Sequence, residues 1–572
     1  METFELARWD YVAFLGYFVV ISIIGFWAGR EKKQSDDYFL AGRSLPWYVV
    51  GCSFIASNIS AEQFIGMIGA AFVYGICAAV WEWGNVATFT ILIWFFIPFL
   101  LASKVFTTPE FMERRFNAVV RQFFAIVTVI TNVVAFLAAV LYGGGLAIHK
   151  LFGWDLWSAI IVVACAAGLW AIYGGLKSVA WMDVFTVMVM IVGGLLVTMY
   201  GLASLDPDGG VIDGFKNMLA CNKATCGIHA EVVAHNAQNM ARQDHYNRLS
   251  VIQPVSHQLL PWPNLVFVVF SVSIWYNVIN QFMIQRVLGA KNMYHARMGI
   301  VLAGYMKVFL PCITVIPGLI LFAHNPEILR LPWDAIQTEA DKGYVHMLQT
   351  MIPVGLRGLF LAALFGAIQS TVQAVLNSTS TVFTMDVYQR LLCPSASGKH
   401  LVLVGRISAI MFMILSVALA RLIVYLPVGL FQYAQELYAF FAPPFGAIFL
   451  LGVLFRRING KGATVAVLGG FVTAILLKLL VWKVPGCPAW IQPFMSQATI
   501  TWLVSVALCV VVSLLSDPPR PEQVSDQLTF NWRRLNIFDE LGTRWYNHVV
   551  LWWALFVLLT AGLMLLFSGI WL

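Results

Sequence analysis

The chain has 572 residues, of which 60% are hydrophobic and only 11% are charged, and its mean hydropathy is +0.80. Soluble domains carry about 25% charged residues, so this composition excludes a globular protein surrounded by water and predicts that lipid surrounds most of the chain. The net charge of +7 does not indicate nucleic-acid binding, because no Lys/Arg-rich patch falls on a predicted soluble domain.

Apolar runs of about 20 residues, the length of a membrane-spanning helix, recur about fourteen times along the chain. The segment before the first run is acidic rather than basic, which predicts a retained span and not a cleavable signal peptide. The predicted spans lie near 10–29, 47–72, 80–102, 118–147, 155–174, 182–204, 263–284, 298–323, 355–385, 402–424, 429–454, 462–481, 498–516 and 548–571.

Basic residues are unevenly divided between the loops of this arrangement. With the N-terminus outside, about 22 Lys and Arg fall in or beside the inner loops and about 9 in or beside the outer ones, as expected when the inner loops are cytoplasmic. We therefore expect a multi-pass protein of the plasma (inner) membrane with both termini outside. The longest outer segment, 205–262, contains Cys221 and Cys226, and this pair favours a short disulfide over a zinc site if the segment faces an oxidising compartment.

The segments between the predicted spans are too short for a soluble domain, and the sequence contains no Walker A, HExxH or GxSxG motif. The chain is therefore predicted not to be an enzyme and not to use energy from ATP bound to itself.

The second predicted span contains an unusually polar stretch at residues 56–63, Ala-Ser-Asn-Ile-Ser-Ala-Glu-Gln. Lipid would not accept these side chains, and Ser and Asn can satisfy backbone groups locally, so we expect the helix to break here. The carbonyls freed in a broken helix serve as ion ligands in transporters. The alternative is an amphipathic helix inside a bundle, in which Glu62 has a structural partner.

The third predicted span opens with residues 81–85, Trp-Glu-Trp-Gly-Asn. A carboxylate between two indoles suits a sugar, because carboxylates accept hydrogen bonds from hydroxyl groups and aromatic faces stack on the apolar face of a pyranose. The alternative is an aromatic belt at the membrane interface.

Polar residues at membrane depth continue in later spans. Lys307 lies too deep for snorkelling and needs a carboxylate or a bound solute as its partner. Residues 369–371, Gln-Ser-Thr, offer hydroxyls that suit Na⁺, although hydroxyl packing between helices is an alternative. The other such residues are Asp183, Tyr276, Asn277, Asn280, Gln281, Gln373, Asn377, Gln435 and Glu436. Together they indicate a polar cavity inside a helical bundle, which is typical of secondary transporters.

Residues 58–67, Asn-Ile-Ser-Ala-Glu-Gln-Phe-Ile-Gly-Met, resemble the signature of the sodium/solute symporter family, in the sodium/glucose cotransporter branch that includes the bacterial sodium/galactose transporters. The resemblance runs from about residue 35 to about residue 465. Its other stretches are Thr-Pro-Glu-Phe at 108–111, Tyr-Gly-Gly-Leu at 173–176, Gln-Arg at 285–286, Leu-Asn-Ser-Thr at 376–379 and Phe-Thr-Met-Asp at 383–386.

The resemblance implies an all-α integral membrane fold of the LeuT type. Two inverted repeats of five helices would occupy 47–204 and 263–454, each with its first helix broken. The remaining segments would be an N-terminal extra helix with an inner loop (1–46), an extracellular loop (205–262), and C-terminal extra helices with a cytoplasmic loop (455–572). A monomer would suffice for transport, with the lipid bilayer and a small solute as partners and no nucleic acid.

The resemblance also implies the residues that bind sodium and solute. The Na⁺ ligands would be the carbonyls of Ala56, Ile59 and Ala367 and the hydroxyls of Ser370 and Thr371. The solute contacts would be Asn58, Gln63, Glu82, Asn85, Ser273, Tyr276, Lys307 and Gln435. The gates would be Tyr276 on the inner side and Met67, Trp81 and Phe431 on the outer side.

Some relatives bind a second sodium ion through the residue that matches Asp183. The hydroxyl positions of that second site are Gln373 and Ala374 in this sequence. The resemblance therefore implies one Na⁺ per cycle, and Asp183 is a candidate for the ion path.

Three positions depart from the galactose-type pocket, namely Asn85, Phe136 and Ser273. The solute expected from the resemblance is a monosaccharide or a similar polyol, and a different hexose, a pentose, an inositol or an amino sugar all remain open. The alternatives are a Na⁺ symporter for another solute, such as sialic acid or a carboxylate, and a solute-binding sensor of the same fold.

Overall fold

Long apolar helices form most of the chain in the computed structural model, which describes residues 6–30, 35–240, 243–340, 342–423, 430–484, 486–531 and 538–570. These residues contain no β-strand apart from one isolated bridge between Leu45 and Ala290. The main helices are α1 (Arg8–Ala28), α2 (Trp47–Ala56), α3 (62–74), α4 (Ile76–Ala102), α5 (Ala118–Phe152), α6 (Leu156–Ala203), α7 (Asn264–Ile279), α8 (Gln281–Leu288), α9 (Met293–His324), α10 (Arg357–Leu392), α11 (Gly398–Ile423), α12 (Leu430–Leu454), α13 (Gly460–Lys483), α14 (Phe494–Leu515) and α15 (Val549–Leu566). The shorter helices between them are Ser35–Leu40, Thr108–Arg115, Gly210–Lys223, Gly227–Met240, Trp333–Ala340 and Gly343–Thr350.

Eleven helices in the described part of the chain are long and apolar enough to cross a membrane, or twelve if the bent pair α7 and α8 forms one span. The expected count of fourteen differs partly because the expected spans 155–174 and 182–204 run together as α6. Gly175 is the non-helical residue inside α6 (φ 61°, ψ −166°), and a Cβ there would come within 2.4 Å of the Tyr38 carbonyl, so only glycine fits the bend. The expected span 47–72 is likewise divided between α2 and α3, each of which is too short to cross a membrane alone.

The helices differ in how much of their surface faces outward. In α10, 89% of the apolar stretch is buried, whereas the corresponding fractions are 22% in α1 and α13 and 17% in α15. The exposed side chains of these outer helices are large and apolar, for example Ile23, Leu476 and Leu558. Because water does not support such a surface, α1, α13 and α15 form the lipid-facing periphery and α10 lies at the centre.

Two helices are interrupted in the middle of apolar segments. α2 ends at Ala56 and α3 begins at Glu62, whereas α7 and α8 meet at Asn280 with a bend of 50°. Asn280 has an extended backbone (ψ 125°) and its Oδ1 accepts a hydrogen bond from the Phe282 N–H at 3.4 Å, which caps α8. The break expected within residues 56–63 is therefore confirmed, and a second break lies at the start of the segment expected to be the second repeat.

The polar segment 205–262 contains two short helices, Gly210–Lys223 and Gly227–Met240, and then returns to the end of α3. Cys221 and Cys226 lie on either side of the turn between these helices and are thiols in this structure. The contact with α3 is made by Arg248, whose side chain is buried.

Candidate functional site

Residues 57–60 interrupt the helix between α2 and α3, and the side chains of Ser60 and Gln63 bond to the backbone of the break. The N–H and the hydroxyl of Ser60 both donate to Gln63 Oε1, at 2.8 and 3.0 Å, and Ser60 Oγ accepts from the Glu62 N–H at 3.0 Å. These bonds replace those of a continuous helix, and the carbonyls of Ser57 and Ile59 accept instead from a side chain of α10.

That side chain is Thr371, one of the expected sodium ligands. Its Oγ1 donates to the Ile59 carbonyl at 3.0 Å and to the Ser57 carbonyl at 3.4 Å. Ala56 immediately precedes Ser57, and both Ala56 and Ala367 are fully buried. Two helices that are distant in sequence thus bring hydroxyl and carbonyl oxygens together, which are the ligands that hard cations prefer.

Ser370 has a different partner in this structure. Its hydroxyl donates to Asp183 Oδ1 at 2.6 Å, and Ser53 Oγ donates to Asp183 Oδ2 at 2.6 Å. Ser53 Oγ also accepts from Arg286 Nε at 3.3 Å. Asp183 therefore lies beside the residue that precedes Thr371, in a buried hydrogen-bonded group that joins α2, α6, α8 and α10.

A cavity adjoins the break between α2 and α3. It contains about 430 Å³ of empty space including its opening. Its lining consists of Asn58, Glu62, Gln63, Met67, Trp81, Glu82, Asn85, Val272, Ser273, Tyr276, Asn277, Lys307, Phe431, Gln435 and Tyr438. All of the expected solute contacts and gate residues are on this lining.

Lys307 enters the cavity from α9. Its ammonium group donates to Glu82 Oε2 on α4 and to Asn58 Oδ1 at the break, and the three side chains are buried. A lysine at this depth needs a carboxylate or a solute as its partner, and Glu82 is that carboxylate. The Asn58 side-chain amide nitrogen has no hydrogen-bond partner among the described residues, so it is free to donate to a bound solute.

Glu62 joins the break to α12. Its Oε1 accepts from Gln435 Nε2 at 2.7 Å, and its Oε2 accepts from the Tyr438 hydroxyl at 3.1 Å. The residues that the sequence predicts as solute contacts omit Tyr438, because a tyrosine in an apolar helix is commonly a packing residue. Its spacing of three residues from Gln435, which puts both side chains on one helix face, is the signal that could have revealed it.

The two side-chain amides Asn85 and Asn277 meet across the cavity. Asn277 Nδ2 donates to Asn85 Oδ1 at 2.6 Å and to the Ser273 carbonyl at 3.1 Å. Asn85 Nδ2 in turn donates to the Trp81 carbonyl at 2.6 Å. Asn277 Oδ1 is buried without a partner in the described part of the chain, so this pair retains an acceptor for a ligand.

Aromatic rings surround Tyr276, the expected inner gate. The ring centroids of Tyr276 lie 5.7 Å from Tyr438 and 5.8 Å from Phe136. Phe136 also stacks on Tyr438, with centroids 4.4 Å apart and planes at 21°. Phe136, which departs from the galactose-type pocket, thus packs behind the lining and does not itself face the cavity.

A second aromatic group lies at the expected outer lid. Trp81 meets the edge of Phe431 at 5.9 Å between centroids and lies nearly parallel to Phe494 at 6.5 Å. The lid expected from sequence includes Trp81 and Phe431 but not Phe494, which comes from α14, outside the two expected repeats. Since the Trp81 indole N–H has no partner within the described residues, it too is available to a ligand.

The sequence matches one protein family over most of its length. A model described as the sodium:solute symporter family matches residues 38–470. The chain is 32% identical over 547 residues to the sodium/glucose cotransporter of Vibrio parahaemolyticus, which covers 92% of this chain and 95% of that protein. It is 31% identical over 543 residues to the sodium/myo-inositol cotransporter of Homo sapiens, which covers 91% of this chain and 75% of that protein.

The fold is also found in a solved structure, that of a Na⁺-coupled sialic acid symporter in a substrate-bound outward-open state. The TM-score is 0.71, with 21% sequence identity over 90% of this chain and 99% of that one. At this identity the similarity concerns the fold alone. The expected family and the expected all-helical membrane architecture are therefore confirmed.

Proposed function

The chain belongs to the sodium:solute symporter family and is a Na⁺-coupled membrane symporter rather than an enzyme, and we propose that it carries a monosaccharide or a similar polyol by alternating access. The observation that carries this choice of solute is the buried arrangement of Lys307, Glu82 and Asn58 beside the aromatic rings of the cavity.

Hydroxyl groups on several carbons need donors and acceptors from several directions. The Glu82 carboxylate accepts, the Lys307 ammonium donates, and the side-chain amides of the lining do both. Trp81 and Tyr276 supply faces for the apolar side of a ring. We assign as solute contacts Asn58, Gln63, Glu82, Asn85, Ser273, Tyr276, Lys307 and Gln435, with Met67, Trp81, Tyr276 and Phe431 as gates. The same polyol chemistry is shared by the solutes named for the sodium/glucose and sodium/myo-inositol relatives.

We assign the sodium site to the carbonyls of Ala56, Ile59 and Ala367 and to the hydroxyls of Ser370 and Thr371. The contact between Thr371 Oγ1 and the Ile59 carbonyl supports this assignment, because both atoms become ligands once the hydroxyl turns its lone pair toward the ion. Asp183 is assigned to the ion path, since it holds the Ser370 hydroxyl.

We further propose that the chain crosses the membrane fourteen times, with inverted repeats at 47–204 and 263–454 and both termini outside. The bend at Gly175 divides α6 into two lengths that can each span, and α2 with α3 forms another span. The breaks before Glu62 and at Asn280 fall at corresponding positions, in the first helix of each repeat.

In the proposed cycle, Na⁺ from outside binds between the break of α2 and α3 and helix α10. This binding holds the two segments together and orders the cavity for the solute. The outer lid closes, the repeats rock, and Na⁺ and solute leave inward past Tyr276. A tenfold Na⁺ gradient provides about 1.4 kcal/mol, and a potential of −100 mV adds about 2.3 kcal/mol. Their sum of about 3.7 kcal/mol supports roughly 500-fold accumulation with one ion.

Uptake into proteoliposomes tests the proposal. The purified protein is reconstituted with an inward gradient of Na⁺ or of K⁺ and an inside-negative potential, and is offered labelled glucose, galactose, xylose, myo-inositol and sialic acid. We expect concentrative uptake of at least one polyol in Na⁺ but not in K⁺, and its loss when a sodium ionophore dissipates the gradient.

Other outcomes identify the alternatives. Accumulation of sialic acid alone would assign the protein to another solute class. Sodium-dependent binding without accumulation or counterflow would indicate a sensor. If no Na⁺-dependent uptake of any neutral polyol occurs, the proposed solute class is wrong.

A further inference from the structure

The charges buried around the cavity do not balance. Among the described residues that line the cavity or join the Asp183 group, three carboxylates and two cations are buried. Lys307 is paired with Glu82, and Arg286 is linked to Asp183 through the Ser53 hydroxyl. One negative charge is therefore left over, and it belongs to Glu62.

Glu62 receives hydrogen bonds only from neutral groups in the described structure, namely the Gln435 amide and the Tyr438 hydroxyl. The charged side chains that act on it are Glu82 and Lys307, and the Lys307 ammonium already lies on Glu82. Its side chain is 5% exposed. An uncompensated carboxylate at this depth is costly, and either a proton or a nearby cation can neutralise it.

The position of Glu62 indicates where such a cation would bind. Glu62 is three residues beyond Ile59, whose carbonyl meets the Thr371 hydroxyl. Three residues of chain keep the Cα atoms of Ile59 and Glu62 within about 11 Å of each other, so a cation between α10 and the break lies near the segment that carries the carboxylate. Through a protein interior of effective dielectric about 20, a unit charge at such a distance changes the affinity for a monovalent cation by about tenfold or more.

We propose that Glu62 supplies the negative charge that the coupling cation neutralises, so that the loaded core contains one monovalent cation and a solute without net charge. This rests on the proposed function, which puts the cation beside Thr371. A second cation or an anionic sugar acid would each leave the core charged again. The Glu62 carboxylate also accepts a hydrogen bond from Gln435, which is a proposed solute contact. The cation and the solute would therefore both act on this one side chain.

Sodium binding can be measured without knowing the solute. Wild type, Glu62→Gln, Lys307→Gln and the double variant are titrated with NaCl in nanodiscs at constant ionic strength, with intrinsic tryptophan fluorescence as the signal. Glu62→Gln keeps the shape of the side chain and removes its charge, so we expect sodium affinity to fall about tenfold or more. Lys307→Gln removes a positive charge and leaves the core with one more negative charge than in wild type. Sodium binding should therefore become tighter. The double variant restores the wild-type charge and should return the affinity to within about threefold of wild type.

Glu436→Gln is the matched control, since Glu436 is on the same helix as Gln435 but already has a cationic partner, Lys478, at 3.0 Å. Its sodium affinity should equal that of wild type. Wild-type affinity in Glu62→Gln, or a double variant as weak as Glu62→Gln alone, would overturn the proposal. If Glu62→Gln does not fold, the sodium affinity of Lys307→Gln tests the proposal instead. Sodium binding by Lys307→Gln that is unchanged or weaker than in wild type would refute the proposal. Absence of any sodium response in wild type instead contradicts the proposed sodium site.

Discussion

At the scale of single residues, the hydroxyl of Thr371 is the atom on which the sodium assignment depends most directly. Thr371→Val has nearly the same shape but cannot supply an oxygen ligand. We expect the sodium concentration for half-maximal uptake to rise about tenfold or more, which corresponds to about 1.4 kcal/mol. Thr371→Ser keeps the hydroxyl and should remain close to wild type. Initial uptake rates measured against sodium concentration check both expectations.

The control for Thr371 is Thr560→Val. Thr560 is also buried, but in the described part of the chain its hydroxyl donates to the Phe556 carbonyl within α15, and Thr560 is not part of the cavity lining. It should leave the sodium dependence unchanged. Equal sodium dependence in Thr371→Val and wild type would remove this hydroxyl from the ion site, whatever the effect on expression.

The residues facing the cavity could be predicted from the sequence where a polar side chain interrupts an apolar run. Lys307 and Glu82 stand out in this way, because lipid makes each of them costly without a partner. Tyr438 and Phe494 could not be predicted so easily. Their rings are common in apolar helices, and their role follows from neighbours on distant segments, Glu62 and Trp81 respectively. The hydrogen bond from Ser370 to Asp183 likewise could not be predicted from the sequence, because it depends on where α6 places Asp183 in the folded bundle.

At the scale of elements, the end of α3 is held by a buried arginine from segment 205–262. The last carbonyls of a helix have no partner within the helix. Arg248 donates to the carbonyls of Phe72 at 2.7 Å and Val73 at 2.9 Å, and its guanidinium lies 3.7 Å from the centroid of the Phe322 ring. Gly75 adjoins this contact with φ 87°, and a Cβ there would approach the Arg248 carbonyl to 2.3 Å. Segment 205–262 therefore fixes the direction in which the chain leaves α3.

We expect Arg248→Lys to loosen this attachment. Lysine keeps the charge but cannot donate to two carbonyls in the same planar geometry. Loss of one bond to a charged donor costs about 1.5–3 kcal/mol. The variant should therefore melt at a lower temperature than wild type, and protease should cut segment 205–262 faster.

Arg330→Lys is the comparison for this prediction. Arg330 pairs with Glu231 of segment 205–262 at 2.9 Å, but both side chains are more than half exposed. Such pairs contribute about 0–1 kcal/mol, so melting and proteolysis should hardly change. Similar behaviour of the two variants would mean that the contact of Arg248 does not stabilise the end of α3.

The break between α2 and α3 could be predicted because Ser60 and Gln63 carry the groups that satisfy the open backbone. The break at Asn280 is expected from the resemblance, which implies a broken first helix in each repeat, and in the structure Asn280 itself caps α8. The continuity of α6 could not be predicted. Its kink at Gly175 depends on the close approach of Tyr38, which comes from a segment more than a hundred residues earlier.

At the scale of the whole molecule, hydropathy predicts the membrane-embedded, all-helical class and most helix positions. It does not predict which helices are central, because α10 and α13 are both apolar but differ fourfold in their buried fraction. The polar content of α10 is the signal for its central position. Hydropathy is also insensitive to the direction in which the bundle crosses the membrane. The orientation rests on the distribution of Lys and Arg, which favours both termini outside.

Two native cysteines allow the orientation of the whole bundle to be tested. Cys226 is exposed between two short helices of the outer segment, and half-buried Cys393 follows the end of α10 on the proposed cytoplasmic side. A membrane-impermeant maleimide should label Cys226 in right-side-out vesicles and Cys393 in inside-out vesicles, as located by mass spectrometry of the labelled peptides. Cys226→Ser and Cys393→Ser are the controls, each losing only its own signal.

The Cys221→Ser variant separates orientation from oxidation in this experiment, because Cys226 then has no neighbouring thiol with which to form a disulfide. If Cys226 reacts in wild type only after reduction but reacts directly in Cys221→Ser, the pair is oxidised in the membrane and segment 205–262 faces an oxidising compartment. Labelling of Cys226 from inside-out vesicles and of Cys393 from right-side-out vesicles would reverse the proposed orientation. The direction of the proposed sodium cycle would then have to be reversed with it, because the proposed outer lid at Trp81 would face the cytoplasm.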